Sequence, residues 1–370
     1  MRPHLWLLLL QSCASLGQIP PATTGPLPPS WKPIPAPSLG PIEFTAWADS
    51  YYNLNFNHPA SRLNRLLFFD IKANELAVAM AGIIAEHDPD PIGFKLEALF
   101  GHADDLLNEE EPGKFVLFKH LVQAYVSFKP KEKKWKGIQV DVGKFVHTVG
   151  AEALETYLNW NYSRGFMFVN GPFFFFGTRL TVPVGKKWTL GYHFIKGWTI
   201  PRDNRFGRTQ AITAVYSTPR LAWFGNYYFG PTTAPGSPWR HFFDTVLTIN
   251  PNGYWRGVVN FDYGQQGIAG QPAARFYGWV VAARMPLSKK FALNPRYEWY
   301  RDPAGAITGV AQTLQEATLT LQYQMRKGVI GSVEYRTDWS SKNFFDRGNQ
   351  SFNASNQTTL AASLILYFGQ

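Results

Sequence analysis

"ATLTLQYQMRKGVIGSVEYRTDW", residues 317 to 339, alternates in polarity twice, on either side of a short break. Before the break Leu319, Leu321 and Tyr323 share one face and Thr318, Thr320, Gln322 and Gln324 the other. After it Val329, Val333, Tyr335 and Trp339 oppose Ser332, Glu334, Arg336 and Asp338. A period of two is the mark of a strand, and "RKG" (326 to 328) supplies the turn. One face is greasy and aromatic near the strand ends, while the other is strongly polar and charged. A soluble sandwich rarely combines the two, whereas a strand between lipid and water requires both.

The same alternation runs outward from this hairpin. In "KFALNPRYEWY" (290 to 300) Phe291, Leu293, Tyr297 and Trp299 oppose Asn294, Arg296 and Glu298; in "KWTLGYHFIKGW" (187 to 198) Trp188, Leu190, Tyr192 and Phe194 oppose Thr189, Gly191 and His193. The pattern predicts strands at 43 to 56, 67 to 86, 92 to 102, 119 to 129, 137 to 147, 173 to 184, 187 to 197, 208 to 218, 220 to 230, 240 to 250, 252 to 263, 274 to 286, 289 to 301, 311 to 326, 328 to 339 and 357 to 368. Sixteen is an even number, and the connections alternate between short ones such as "VGKK" (184 to 187) and longer ones such as "GQQGIAGQPA" (264 to 273). Short turns at one end and long loops at the other define an antiparallel transmembrane β-barrel of the outer-membrane type, and sixteen strands leave room for an aqueous lumen. The longest connection, about 148 to 172 between the fifth and sixth strands, places Leu154, Tyr157 and Leu158 at helical spacing and is expected to be partly helical.

The chain begins with "MRPHLWLLLLQSCASLG", a basic residue, a short apolar run and small residues, which predicts a signal peptide over 1 to 17. A rival reading treats Leu10 to Cys13 as a lipoprotein box with Cys13 acylated. Residues 18 to 41 are proline-rich and read as an extended periplasmic linker, leaving 42 to 370 for the barrel. No apolar run after the leader reaches the roughly 18 residues of a spanning helix. Aromatics make up 16% of residues and charged residues 17%, with a single cysteine, as suits aromatic strands and tight turns.

With the strands in place, several stretches resemble the OmpL-like β-barrel porin family. "ADSYYNLNFNHP" (48 to 59) resembles the family's opening strand through Tyr51, Tyr52, Asn53, Asn55 and Phe56. "DVGKFVHTVGAEALETYLNWNYSRG", from Asp141 to Gly165, resembles its central signature, followed by Pro172, "GTRL", Gly197-Trp198 and Asp203-Asn204. Lys196 departs from the asparagine the family often has before Gly-Trp, and the chain ends "LYFGQ" rather than on an aromatic residue. The resemblance implies an outer-membrane location and passive transport, with no substrate specified.

Lipid rejects charge near mid-membrane at about 2 to 4 kcal/mol, so charged mid-strand residues are assigned to the lumen. They are Asp49, Lys95, Glu97, Asp141, Arg179, Asp244, Arg256, Asp262, Arg284, Arg296, Glu298, Glu316, Glu334, Arg336 and Asp338. Six are basic and nine acidic, so the formal net charge of +10 does not translate into an anion-selective wall. Pairing of these charges across strands to stiffen the wall is the alternative to a role in permeation. Within the long connection Glu152, Glu155, Tyr157, Trp160, Tyr162 and Arg164 are the candidates for a constriction, the alternative being a flap on the outer rim. In "NWNYSRGFMFVNGPFFFFGTRL" (159 to 180) the apolar run is broken at Asn170-Gly171-Pro172, so Phe174 and Phe176 are assigned to a lipid-facing girdle with Trp188, Trp299 and Phe368, and Arg179 to water.

Catalytic motifs and cysteine-based metal spacings are absent from the sequence, and no cofactor or metal ligand set is assigned. His147, His193 or His241 could join a triad only through the fold, and a satisfied strand histidine is the simpler reading. Aromatics spread in strand parity argue against a nucleic-acid surface. The expectation is a channel for small hydrophilic solutes in a Gram-negative outer membrane. Its partners would be lipid, lipopolysaccharide and the barrel-insertion machinery, with a homotrimer suggested by fold analogy. A closed barrel acting as adhesin or anchor through its loops is the alternative, and a barrel enzyme a third.

Overall fold

Strands of period two pair in chain order and the last returns to the first. The computed structural model describes residues 38–107, 119–135, 137–197, 209–231, 238–250, 254–268 and 270–369. The leader and nearly all of the proline-rich stretch fall outside them, as do Trp198, Arg202, Asp203, Asn204, Arg205 and Arg208. The barrel strands are β1 (Ile42–Asn55), β2 (Leu76–His87), β3 (Ile92–Phe100), β4 (Leu121–Phe128), β5 (Gln139–Val146), β6 (Phe174–Val184), β7 (Trp188–Ile195) and β8 (Thr209–Ser217). They continue as β9 (Leu221–Pro231), β10 (Trp239–Ile249), β11 (Arg256–Ile268), β12 (Gln271–Pro286), β13 (Phe291–Asp302), β14 (Gln312–Arg326), β15 (Val329–Ser340) and β16 (Asn356–Phe368). Each pairs antiparallel with its neighbour in sequence, and β16 closes on β1 from Thr359↔Asn55 to Phe368↔Ala46. Closure leaves no unpaired edge, which a sheet in lipid requires. A two-residue strand, Ser38–Leu39, adds to β1, and Phe345–Arg347 with Gln350–Ala354 forms a small hairpin in the last loop.

The hairpin of β14 and β15 shows how alternation becomes sidedness. Glu316↔Asp338, Thr318↔Arg336 and Thr320↔Glu334 pair on one face, and Leu319↔Tyr335 and Leu321↔Val333 on the other. The first set is buried, with Glu334 at 2% exposure, while Tyr335 stands at 50%. The greasy side thus points out of the barrel and the charged side in.

Three expectations are corrected. The second strand begins at Leu76, not 67. Positive φ at Leu66 and Asn74 breaks the extended chain, and Leu67, Phe69, Asp70 and Ala73 are buried. Phe68 stacks on Phe173 at 4.9 Å between ring centroids, drawing this connection against the long one. The expected long loop at 264 to 273 shrinks to residues 269–270, because β11 and β12 keep pairing through Gln266↔Ala274 to Ile268↔Gln271. Polar residues can extend a hairpin past the membrane, since antiparallel pairing makes no demand on side-chain polarity. Finally, the long connection, expected to be partly helical, has only short helical pieces. Its helical content is a 3-10 turn at Thr156–Leu158 and a single turn, α2 (Phe166–Val169); an earlier short helix, α1 (His102–Leu107), follows β3.

The apolar core lies inside the barrel in three clusters, and the long connection belongs to all three. Tyr157, Tyr162 and Phe168 pack with Trp47, Tyr51 and Leu99. Val149, Phe166 and Met167 pack with Phe145, Tyr228 and Phe276, and Ala151 and Trp160 with Phe224 and Val258.

Candidate functional site

Residues 147–173 leave β5, cross the barrel and return to β6. What holds this segment across the lumen is mostly its own backbone. The Glu334 carboxylate accepts the N–H groups of Tyr162 (2.7 Å) and Ser163 (3.0 Å), and Glu298 accepts those of Phe166 and Met167. Asp244 accepts the Gly150 N–H at 3.0 Å, and Asp49 accepts the hydroxyls of Thr156 (2.6 Å) and Tyr162 (2.7 Å). A carboxylate facing two backbone donors replaces the water both lose on burial, and such charge-assisted bonds are the stronger kind. A Cβ at Gly165 would lie 2.5 Å from Glu298 Oε2, so a larger residue there would push the carboxylate aside.

Arg164 shapes the segment from within. Its guanidinium donates to the carbonyls of Ala153 (2.9 Å), Leu154 (2.8 Å) and Tyr162 (2.7 Å), drawing the two limbs together. Arg296 and Arg336 fasten the result to the wall. Arg296 meets Glu152 at 2.6 Å and Glu316 at 2.7 Å and donates to the Ser163 carbonyl. Arg336 meets Asp338 at 2.7 Å and donates to the Arg164 carbonyl at 2.6 Å. Tyr157 stacks on Tyr367 at 5.2 Å, and Trp160 offers its carbonyl to the Asn294 amide.

All fifteen charged residues assigned to the lumen are buried. On the other side of the barrel Arg179 meets Asp141 at 2.8 Å and lies over the Phe145 ring, Lys95 meets Glu86 at 3.2 Å, and Glu97 accepts from Gln123. Asp244 and Asp262 are direct cross-strand neighbours, and the Asn260 amide donates to both. Arg256 and Arg284 oppose each other at the short-turn end, where Arg284 donates to Gln322 at 2.6 Å.

Every strand presents at least one buried inward side chain. Cavities remain beside the segment, one of about 20 Å³ bordered by Asn260, Val280 and Glu298 and one of about 60 Å³ toward β4 to β6, bordered by Glu152, Glu155, Arg179 and Val122. The larger has room for a few water molecules.

On the outer face Trp188, Phe176 and Phe368 are exposed and Trp299 is half-buried. Phe174 departs from the expectation. It is buried, with the Lys144 ammonium 3.9 Å from its ring centroid, so that a cation covers it where lipid contact was expected. The three histidines are dispersed. His193 points inward among Phe145 and Tyr228, His241 bonds the Tyr227 hydroxyl on the outer side, and His147 accepts the Val149 N–H. Burial lowers the His147 pKa to about 4, leaving a neutral ring at neutral pH.

Sequence reading missed the anchors on the first long connection. Asp70 accepts from Asn53 at 3.0 Å, and Asn64 bridges Asn55 and the Asp70 carbonyl. The asparagines of the opening strand were the available signal.

The solved structures that this chain resembles include outer-membrane porins and channels. They include an anion-selective porin from Comamonas acidovorans, with a TM-score of 0.59 at 12% identity, covering 88% of this chain and 99% of that one. The channel DcaP of Acinetobacter baumannii has a TM-score of 0.59 at 12% identity, covering 90% and 100%. A trimer form of OmpT, an outer membrane protein of Vibrio cholerae, has 0.57 at 12%, covering 88% and 99%. At such identity the likeness is one of fold. No curated protein matches the sequence. A family model described as "Putative beta-barrel porin-2, OmpL-like" matches residues 41–368, and the chain belongs to that family of outer-membrane porins.

Proposed function

We propose that this barrel passes small hydrophilic solutes or ions by passive diffusion, and that the 147–173 segment is its constriction. The observation that carries this reading is the pinning of the segment across the lumen by Asp49, Asp244, Glu298 and Glu334. Filtering is by size and by the mixed charges of the wall, with Glu152, Glu155, Tyr157, Trp160, Tyr162 and Arg164 at the narrowing. Nothing in this mechanism requires a reaction or a cofactor. The cavity beside Glu155 and Arg179 is the route this reading assigns to passage. Residues 1 to 17 serve as the export leader and 18 to 41 as the linker, in a Gram-negative host whose insertion machinery assembles the barrel; lipid and lipopolysaccharide surround it. The trimer form among similar structures supports a homotrimer.

Single-channel recording of the folded full chain in planar bilayers tests this. Steps above background in concentrated salt are expected, with a reversal potential in a salt gradient that shows weak selectivity. The packing of the segment against the inner wall favours one competitor, a closed barrel that serves as an anchor or adhesin through its loops. Silence in the bilayer, with the barrel verified as folded, would establish that competitor.

A further inference from the structure

The two ends of the barrel differ in charge. At one end lie the seven short connections, 88–91, 129–138, 185–187, 218–220, 250–255, 287–290 and 327–328. Their described residues carry ten lysines and arginines, among them Lys131, Lys134, Lys186, Lys187, Arg220, Lys289, Lys290 and Lys327, against the three acids Asp88, Asp90 and Glu132. The described residues of the other connections, from 56–75 to 341–355, include eight basic residues against seven acids. Most of the chain's formal +10 is therefore gathered on one rim. Lys131, Lys134, Lys186, Lys187, Lys289 and Lys290 on that rim are exposed.

Two of these cations stand over aromatic rings, and Lys131 pairs with Asp90 at 2.8 Å. The Lys134 ammonium lies 5.4 Å from the centre of the Trp135 ring, and Lys187 lies 6.0 Å from Tyr216. Tyr216 in turn packs on Trp188 at 5.0 Å, and Trp188 on Trp223 at 5.9 Å. Farther round, Lys290 precedes Phe291, which stacks on Tyr323 at 4.6 Å. A tryptophan and tyrosine belt marks the level where hydrocarbon gives way to headgroups. Lysines on such a belt keep their stems in the apolar layer and their ammonium groups at the phosphates. A rim built for solubility alone would mix both signs, and a basic filter for solutes would place its charges on the inward face.

We propose that the short-turn rim is a docking ring for anionic phospholipid headgroups, which fixes the depth and tilt of the barrel in the membrane. The ligand class is a glycerophospholipid phosphodiester with net negative charge. Each basic residue near such a surface adds about 1 kcal/mol of attraction, which fades within a Debye length. The inference rests on the barrel spanning a membrane and not on its conducting.

The test is lipid retention by the purified full-length barrel in detergent micelles doped with equal amounts of phosphatidylglycerol and phosphatidylcholine, read by mass spectrometry. Phosphatidylglycerol should be enriched about five-fold or more. The enrichment should collapse in about 0.5 M NaCl, where screening is within a few ångström. It should also collapse in the variant with Lys131, Lys134, Lys186, Lys187, Lys289 and Lys290 each changed to glutamine, and persist with Arg62→Gln, Lys119→Gln and Lys342→Gln at the other end. The smaller pair Lys289→Gln with Lys290→Gln should give a partial loss, which keeps the test decisive should the six-fold variant not fold. Equal retention of both lipids, or enrichment that survives removal of the lysines, would overturn the proposal. So would lipid A displacing phosphatidylglycerol from the same lysines, because the rim would then be a lipopolysaccharide site. Conductance recorded on the same variants is independent of either outcome, so failure of the channel reading leaves this one standing.

Discussion

The two sides of the barrel treat the inward segment differently. Along β13 to β15 and at β10, wall carboxylates and arginines take up its backbone N–H and carbonyl groups at 2.6 to 3.0 Å, and at β1 Asp49 accepts the Thr156 and Tyr162 hydroxyls. Along β4 to β6 the wall charges pair among themselves, as Arg179 does with Asp141, and a cavity separates them from the segment. Buried charges are tolerated on both sides because each is paired or hydrogen-bonded. Only on the first side do they also hold the inward segment in place, and in the proposed channel the difference would separate residues that fix the constriction from residues that tune what passes it.

The largest effect should come from removing the fixed part. Deleting residues 151–163 takes away Glu152, Tyr157 and Trp160 together with the Glu334 contacts, and single-channel conductance should rise several-fold. Unchanged conductance would mean that current flows elsewhere. Next comes Arg164→Met. Three buried carbonyls would lose a charged donor, at about 1.5 to 3 kcal/mol for each bond. Open-channel noise should increase and the midpoint of heat-induced unfolding, read by gel mobility, should fall. A quiet channel of unaltered midpoint would show that the clasp is not what shapes the segment.

The comparison then predicts a dissociation between two substitutions of one type. Glu298→Gln keeps the volume but weakens the hold on the Phe166 and Met167 N–H groups by about 1 to 2 kcal/mol. It should raise gating noise with little change in ion preference. Glu97→Gln, on the side of the cavity, should move the reversal potential toward anions with little change in noise. If both variants shift the same observable, the division of the wall into two roles is wrong.

How much of this was legible in the sequence follows the same division. The strands could be read because Glu334, Arg336 and Asp338 recur at every second position with Tyr335 between them, and lipid tolerates only one of the two registers. The crossing of the segment could be suspected from its length, but not its attachments. Its donors are the backbone N–H groups of Gly150, Tyr162, Ser163, Phe166 and Met167, and every residue except proline has that group. Residues 67–75 were misread for a related reason. Leu67, Phe68 and Phe69 look like strand, yet left-handed backbone at Leu66 and Asn74, which no side-chain pattern announces, turns them into the barrel. Phe174 was misjudged because a lysine, Lys144, sits on the same side of the wall and covers it.

The smallest expected effect concerns Asp70, which lies in that misread connection. Burial raises its pKa, Glu334 nearby raises it further and Arg336 offsets part of the rise, so that it is pushed up to about 7 from an ordinary value of 3.8. Between about pH 4 and pH 7 the folded protein therefore holds a proton that the unfolded chain has released. Stability falls as pH rises through this window and is level above it, the reverse of the usual behaviour of a salt-bridged carboxylate. Asp70→Asn removes the charge and keeps an oxygen to accept the Asn53 amide, which now donates at 3.0 Å. Each pH unit is worth at most about 1.4 kcal/mol, and a loop that opens locally returns less than that to the whole barrel. The unfolding midpoint of the variant should exceed that of the parent by a few degrees at pH 8 and match it near pH 4. A parent at least as stable at pH 8 as its variant would mean that the carboxylate is ionised in place with solvent at hand, and that the first long connection does not seal against the wall.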